Sequence, residues 1–254
     1  GGTAGTAALT ITGTAAEITS GTFTGGAGGA AGASNTLVGI TGTIGGTSTV
    51  TIDVAVTAQG ATGTSELTVI GGAGGAGGDG SATFAGVAGV AGGSSTLDFG
   101  TTAAVAANIT LNDGATGATG ATNTLAGGTG GAGGSAILSI TAAKTLTGNV
   151  TAASDGEGTI NTSAGLFTMA GDIGTSTASV LRLNVGNVAG MTTNGSIYAD
   201  GIDLNATDAP LAFTNTTTAQ VVSGTIEGAG TAASTSDINA NAAGGTVTFN
   251  GAVG

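Results

Sequence analysis

Short strand signals separated by turn residues recur along the chain, most clearly between Thr145 and Val188. In this stretch apolar and polar residues alternate over a few positions, and Gly, Asn, Asp or Ser then ends each run. Such runs are typical of strands rather than helices. The centres of successive runs are about 20 residues apart, which is the size of one coil of a β-solenoid. These centres are Leu146, Leu166, Val185, Leu204 and Val222.

The same alternation occurs upstream. In the run TSTVTIDVAVTA, which covers residues 47–58, four β-branched residues fall at every second position. Alternate residues of a strand point to the same side, so these four are predicted to face the core and Asp53 to face solvent. The four residues are Val50, Ile52, Val54 and Val56.

Glycine-rich tracts interrupt the pattern in the first half of the chain. They read GGAGGAAGAS at 25–34, GGAGGAGGDG at 71–80 and GGAGG at 130–134. Gly and Ala offer little side chain to pack in a sheet, so we predict loops of variable length there. The chain is therefore predicted to form one elongated solenoid over residues 1–254. Its coils should be irregular over 1–143 and more regular over 144–254.

Composition supports an all-β fold. The 54 glycines disfavour helix, while the many Thr, Val and Ile residues prefer pleated strands. Disorder throughout the chain is disfavoured because the mean hydropathy is +0.41 and only 6% of residues are charged. At about 20 to 25 residues per coil, the chain would make roughly 10 to 12 coils.

The charge and the missing residue types exclude several classes of function. The net charge is −12, and Lys144 and Arg182 are the only cations, so binding to nucleic acid or to anionic membranes is disfavoured. No apolar run is long enough to span a bilayer. The chain has no Cys and no His, which removes disulfides and thiolate metal sites. Because it starts at Gly1 without a leader, we expect a mature piece or a fragment of a longer chain.

The segment GTINTSAGLFTMAGDIGTSTASVLRLNVGNV, residues 158–188, resembles the passenger region of autotransporter-type surface proteins. It is similar above all to the rickettsial outer-membrane surface antigens, in its G-x-I-N-T, A-G-x-I/F and G-D-I-G motifs and its Gly, Asn and Thr-rich turns. The resemblance is best over residues 145–254. It implies a right-handed parallel β-helix at the cell surface that serves as an adhesin or a surface coat, with no catalytic motif.

The densest group of oxygen ligands lies in YADGIDLNATDAP, residues 198–210. Calcium prefers six to eight oxygen ligands, and a turn could bring carboxylates and backbone carbonyls together. The simpler interpretation is a solvated turn between strands, because no EF-hand spacing is present. We therefore carry Ca²⁺ as a hypothetical cofactor and otherwise expect none. The candidate ligands are Asp200, Asp203, Asn205 and Asp208.

Parallel β-helices also include polysaccharide hydrolases and lyases. Asp200 with Asp203, or Asp155 with Glu157, could supply an acid and a base. Sugar-cleaving sites usually add aromatic platforms and basic residues, whereas this chain has one Tyr and two cations. Without His or a suitably placed Lys there is no conventional base to activate a nucleophile. We predict that the protein is not an enzyme.

Threonine pairs spaced two apart suggest an alternative function. A flat face of stacked Thr pairs could order water against ice, although outward Thr is also the ordinary uncharged residue of a strand. The alternative function is thus a ligand-binding module for ice or glycan. The pairs are Thr10/Thr12, Thr22/Thr24, Thr49/Thr51, Thr145/Thr147 and Thr246/Thr248.

The leading functional prediction is a structural or adhesive protein of the bacterial cell surface or the extracellular space. An end of a solenoid exposes unpaired strand edges, which are templates for another copy unless they are capped. We therefore predict a homo-oligomer, filament or layer, with a host surface or glycan as a further partner.

Overall fold

The structure is a computed structural model, and it describes most of the chain. The described residues are 5–13, 16–18, 20–32, 39, 41–57, 65–100, 104–206, 209–215, 218–228, 238–240 and 245–254. Every helix or strand found within these ranges is a β-strand, which confirms the all-β prediction.

Twenty strands lie within the described ranges. The first ten are β1 (Ala7–Ile11), β2 (Ala16–Glu17), β3 (Ser20–Thr24), β4 (Ser48–Ile52), β5 (Val56–Thr57), β6 (Ser65–Ile70), β7 (Ser95–Phe99), β8 (Val105–Asn112), β9 (Ala136–Ile140) and β10 (Lys144–Thr147). The others are β11 (Val150–Ala152), β12 (Glu157–Thr162), β13 (Phe167–Ala170), β14 (Val180–Val185), β15 (Met191–Thr193), β16 (Ile197–Leu204), β17 (Leu211–Phe213), β18 (Gln220–Gly228), β19 (Ile238–Asn239) and β20 (Val247–Phe249).

The strands stack in two parallel sheets. The first sheet has nine strands in the order β1-β4-β7-β9-β12-β14-β16-β18-β20. The second sheet has eleven strands, and its main path is β19-β17-β15-β13-β10-β8-β5-β2. A branch leaves this path at β8: β6 and β11 both pair with β8, and β3 pairs with β6. The chain moves from one sheet to the other and back with each coil. This parallel arrangement is compatible with the predicted β-solenoid.

Inward residues of successive strands form continuous apolar columns. In the first sheet one column begins at Leu9, continues through residues that are at most 5% exposed, and ends at Val253. Each fully buried aliphatic side chain contributes about 1.5–3 kcal/mol, so the column stabilises the stacking of the coils. The members of the column are Leu9, Val50, Leu97, Leu138, Ile160, Leu183, Ile202, Ile226 and Val253.

The four residues predicted to face the core in 47–58 are buried, but they do not belong to one strand. The chain leaves the first sheet when β4 ends at Ile52 and enters the second when β5 begins at Val56. Val50, Ile52, Val54 and Val56 are at most 5% exposed, and Asp53 is exposed. Leu166, in contrast, does not centre a strand: it precedes β13 and is 42% exposed. The preceding Gly165 adopts a φ of 66°, a left-handed conformation that turns the chain just before the strand. The inward positions of β13 are therefore Phe167 and Met169.

The coils differ in length between the two halves of the chain. Paired residues of neighbouring strands are 19 to 27 positions apart among β12 to β20. They are 40 to 49 positions apart among β1 to β9. The predicted spacing of about 20 residues thus agrees with the second half only. The nine strands of the first sheet do not confirm the predicted 10 to 12 coils, and the right-handed sense stays a prediction.

The extra residues of the longer coils form three glycine-rich hairpins rather than irregular loops. Each hairpin leaves the second sheet along one extended leg and returns to the first sheet along another. The six legs pack on one another in two layers, with legs 1, 3 and 5 in one layer and legs 2, 4 and 6 in the other. The legs, which together we call the glycine bundle, are leg 1 (25–32), leg 2 (41–47), leg 3 (71–80), leg 4 (86–93), leg 5 (113–121) and leg 6 (126–134).

Hydrogen bonds within the glycine bundle recur at every third residue. In leg 3 the N–H groups of Gly74 and Gly77 donate to leg 5, at N···O distances of 2.8 and 2.9 Å. The N–H groups of Gly72 and Gly75 donate to leg 4, both at 2.8 Å. A period of three residues is that of the polyproline II helix, which has no internal hydrogen bonds and can therefore donate to its neighbours. The prediction of loops missed this order.

Glycine is required in these legs because neighbouring backbones approach very closely. A Cβ added to Gly74 would lie 1.9 Å from the carbonyl oxygen of Gly131, and one added to Gly75 would lie 2.0 Å from that of Gly29. The third residue of the triplet, such as Ala73, is exposed. Each Gly-Gly-Ala triplet therefore places two residues against other legs and one towards solvent.

Leg 5 is the last leg of its layer, and its sequence differs from that of leg 3. Its triplets read Gly-Ala-Thr, and the exposed Thr116 and Thr119 stand where leg 3 has Gly74 and Gly77. The following coil has no glycine-rich hairpin, so no further leg approaches this side. A side chain is therefore tolerated there.

Gly75→Ala tests the close packing of the glycine bundle. The new methyl group would overlap the Gly29 carbonyl oxygen, so we expect the free energy of unfolding to fall by on the order of 3 kcal/mol. Urea unfolding followed by circular dichroism measures this change. Gly5→Ala is the matched control, because a Cβ at Gly5 meets nothing within 4 Å. Equal stability of the two variants would contradict the packing described above.

Candidate functional site

The four predicted calcium ligands do not converge in the structure. The carboxylate of Asp203 pairs with Arg182, whose Nη1 donates to Oδ1 at 3.0 Å. Asp200 lies within a bulge of β16, and its Oδ1 is within hydrogen-bond distance of the Ser179 hydroxyl. Asn205 follows β16 and is exposed, while Asp208 lies outside the described residues.

Two observations weigh against a calcium site built from this set. The positive charge of Arg182 already partners Asp203 and would repel a cation. Within the described ranges no three Asp or Glu side chains come together in a way that could hold a metal ion. Calcium binding stays a prediction, and Asp200 and Asp203 would have to act in different sites.

The structure instead brings Asp155 and Asp200 together. The hydroxyl oxygen of Ser179 lies 2.7 Å from Oδ1 of Asp155 and 2.5 Å from Oδ1 of Asp200. These residues line an open cleft of about 440 Å³ together with Tyr198, the only tyrosine of the chain. Sequence reasoning paired Asp155 with Glu157 and missed this arrangement, because the two aspartates belong to neighbouring coils.

Asp155 is poorly suited to act as a general acid in this cleft. The hydroxyl and the backbone N–H of Ser179 both donate to Asp155 and hold the pKa of its carboxyl below the usual value. A general acid is most effective when its pKa lies near the working pH. Asp155 is therefore ionised at neutral pH and cannot donate a proton to a leaving group.

A second polar surface follows the outer side of the first sheet. Successive strands place Asn161, Asn184, Asp203 and Glu227 in one column, and the amide of Asn184 donates to that of Asn161 at 2.7 Å. Beside the last two, Arg182 lines a shallow depression of about 430 Å³. Such planar amide, carboxylate and guanidinium groups can hydrogen-bond adjacent hydroxyls of a sugar. No aromatic side chain lines the depression within the described residues.

Lys144, to which sequence analysis assigned no site, is buried at the start of β10. Only 5% of the residue is exposed, and its Nζ lies 5.3 Å from the centre of the Phe99 ring. Burial lowers the pKa of Lys144 to about 8, although the negative charges of Asp98 and Asp53 act in the opposite direction. The lysine therefore carries a partly compensated charge in an apolar setting. It fits a structural position better than a catalytic one.

The threonine pairs proposed for ice binding do not share one face. Thr49 and Thr51 lie on β4 of the first sheet, whereas Thr145 and Thr147 lie on β10 of the second. A different set does stack in register on the branch of the second sheet. Its members are Thr22, Thr68, Thr110 and Thr151. Sequence spacing could not identify this column, because the coils between its members differ in length.

No family model, curated protein or solved structure matches this chain. Within the described residues there is also no helix with the length and apolar character needed to cross a membrane. The resemblance to autotransporter passengers therefore stays a prediction, and functional inference depends on the geometry.

Lys144→Met tests the buried charge through the pH dependence of stability. The pKa of Lys144 is about 8 in the folded protein and 10.5 in the reference state. Between these values the unfolded chain binds more protons, so stability rises with pH through this window. We expect the wild type to gain up to about 3 kcal/mol more than Lys144→Met between pH 7.5 and 10.5.

Urea unfolding at a series of pH values measures this difference. Arg182→Met is the matched control, because a guanidinium stays charged across the window and should leave the pH dependence unchanged. If Lys144→Met and the wild type showed the same pH dependence, the lysine would not be buried as described.

Proposed function

We propose that the protein is a non-enzymatic structural protein whose copies stack end to end. The exposure of two apolar residues at the ends of the first sheet supports this proposal. The terminal members of the apolar column, Leu9 and Val253, are 53% and 55% exposed, while the members between them are at most 5% exposed. Stacking two copies would bury both end residues, at a gain of about 1.5–3 kcal/mol for each fully covered side chain.

The strand edges at the two ends support the same arrangement. Within the described residues β1 pairs only with β4, and β20 pairs only with β18. Both pairings are parallel, so β1 of one copy could continue the sheet after β20 of another in the same direction. Such head-to-tail contacts between unlike surfaces produce filaments if they do not close into rings. A right-handed coil would give the filament its hand.

The composition supports a location at the cell surface or outside the cell. The chain has no cysteine and only two cations, and its resemblance to autotransporter passengers implies an exported, exposed wall. The net charge of −12 opposes close contact between copies, so assembly should increase with ionic strength. An assembled wall would present the polar column of the first sheet, including Asn184 and Asp203, repeatedly to a host surface or glycan.

Leu9→Lys tests end-to-end stacking. A lysine at this end would place a charge against the apolar column of the next copy, so we expect association to weaken at least 10-fold. Sedimentation velocity over a concentration series measures the association, and electron microscopy of the wild type should show filaments.

Val188→Lys is the matched control, because Val188 is also an exposed aliphatic residue, at 72%, but lies in a turn away from both ends. A strictly monomeric wild type at high protein concentration and high salt would contradict the proposal. Equal weakening by both variants would show that the contact is not at the ends.

Ice binding is a second candidate function, and the threonine column favours it. Thr22, Thr68, Thr110 and Thr151 lie one above another at the spacing of neighbouring strands, which is about 4.8 Å. Beside this column the glycine bundle presents exposed alanines such as Ala73 and Ala115. Rigid, uncharged rows of methyl and hydroxyl groups are suited to order water.

Thermal hysteresis tests this candidate. The wild type should depress freezing without changing melting, and Thr110→Lys should abolish the effect by placing a charge in the column. Thr145→Lys, which alters an exposed threonine on the second sheet's main path, should leave the effect unchanged. Absence of hysteresis in the wild type would exclude ice binding.

A further inference from the structure

In the described part of the chain, the glycine bundle is closed on one side and open on the other. Leg 5 ends it with Thr116 and Thr119, whereas leg 1 has Gly-Gly-Ala triplets like those of the interior leg 3. Beside legs 1 and 2 lies a groove of about 580 Å³. Its described lining includes Gly5, Gly26 and Gly46, and it contains no charged side chain.

A row of hydrogen-bond acceptors lies beside this groove. In leg 3 the carbonyl oxygens of Ala73 and Ala76 accept from leg 1, at N···O distances of 2.7 and 2.9 Å. In leg 5 the carbonyl of Ala115 accepts from leg 3 in the same way, at 2.8 Å. The equivalent carbonyls of leg 1 belong to Ala27 and Ala30. No hydrogen bond from the described part of the chain reaches either of them.

The rim of the groove exposes apolar surface. Ile44 of leg 2 lines the groove and is 65% exposed. Gly26 of leg 1 is exposed although the corresponding Gly72 of leg 3 is buried beneath leg 1. Covering this surface would give the alanine carbonyls hydrogen-bond donors and would remove the exposed isoleucine from water. Both effects favour binding.

We propose that this groove binds a glycine-rich segment of another polypeptide in which glycine recurs at every third residue. The acceptors of Ala27 and Ala30 are three residues apart, so the bound chain must offer an N–H at the same interval. Within the bundle, donor legs carry glycine wherever they approach a neighbouring backbone, because a Cβ would overlap it. The absence of charge in the lining selects a segment of small, uncharged residues.

The bound segment would extend the packing already present between legs 1, 3 and 5. Each new leg would donate to the alanine carbonyls of leg 1 as leg 1 donates to those of leg 3. The six glycine legs of the described residues are engaged within the bundle. The three-residue spacing of the acceptors and the uncharged lining define a segment that a separate polypeptide can supply. The groove lies at the same end of the molecule as Leu9, because Ala7 of β1 lines it. The proposal rests on the groove and its carbonyl acceptors, whereas end-to-end stacking rests on Leu9 and Val253.

A labelled peptide with the sequence (Gly-Gly-Ala)3 tests the proposal. Fluorescence anisotropy with the full chain should show saturable binding. A control peptide of the same composition, six glycines followed by three alanines, should bind at least 10-fold more weakly because its glycines lack the three-residue spacing. Equal binding of both peptides, or no binding of either, would overturn the proposal.

Gly5→Trp places the interaction in the groove. A Cβ at Gly5 meets nothing within 4 Å, so the indole can fill the groove without displacing the bundle, and peptide affinity should fall at least 10-fold. Gly254→Trp is the matched control, since Gly254 is equally open and lies elsewhere, and its affinity should be unchanged. Circular dichroism should show that both variants retain the wild-type fold.

Sedimentation of Gly5→Trp identifies the occupant. Unchanged self-association together with lost peptide binding supports a separate glycine-rich polypeptide. Reduced self-association in this variant would mean that a second copy occupies the groove, and the assignment to another polypeptide would be wrong.

Discussion

Backbone hydrogen bonding between coils holds this molecule together. It does so both in the wall, which is formed by the two parallel sheets, and in the glycine bundle. In the wall, parallel strands pair their N–H and C=O groups with the coil before and the coil after. In the glycine bundle, extended legs do the same at every third residue. The legs of the glycine bundle carry few side chains, whereas in the two sheets the buried apolar columns add to the backbone pairing. This explains how a chain with 3% aromatic and 6% charged residues can form an ordered structure.

The part of the fold that depends on period two was predictable from the sequence. Val50, Ile52 and Val54 alternate with polar residues, and all three are buried as predicted. The glycine legs were not predicted, although their period of three is visible in GGAGGAGG. Glycine carries no hydrophobic signal, so a search for apolar alternation assigns such a tract to a loop. Only the approach of Gly75 to the Gly29 carbonyl shows why the residue is needed.

The candidate sites were less predictable than the fold, because they depend on which residues meet across coils. Asp155 and Asp200 meet at Ser179 although Asp200 was grouped with its sequence neighbours. The number of residues between paired positions varies from 19, between Val180 and Ala199, to 49, between Val56 and Val105, and local spacing does not reveal it. The burial of Lys144 has the same origin, since the wall closes over it from strands of different coils. The fold therefore determines which polar side chains meet, and these side chains do not determine the fold.

The three-residue repeat of the glycine bundle also restricts how the chain can change in length. Adding or removing one residue in leg 3 would rotate every later glycine of that leg away from its neighbours. A change of three residues restores the rotation, but the returning leg 4 must then change by the same amount to meet β7. Legs 3 and 4 contact legs in both other hairpins, which fixes their length as well. Insertions in this half of the protein are therefore expected in matched triplets, whereas a turn of the second half can accept a single residue.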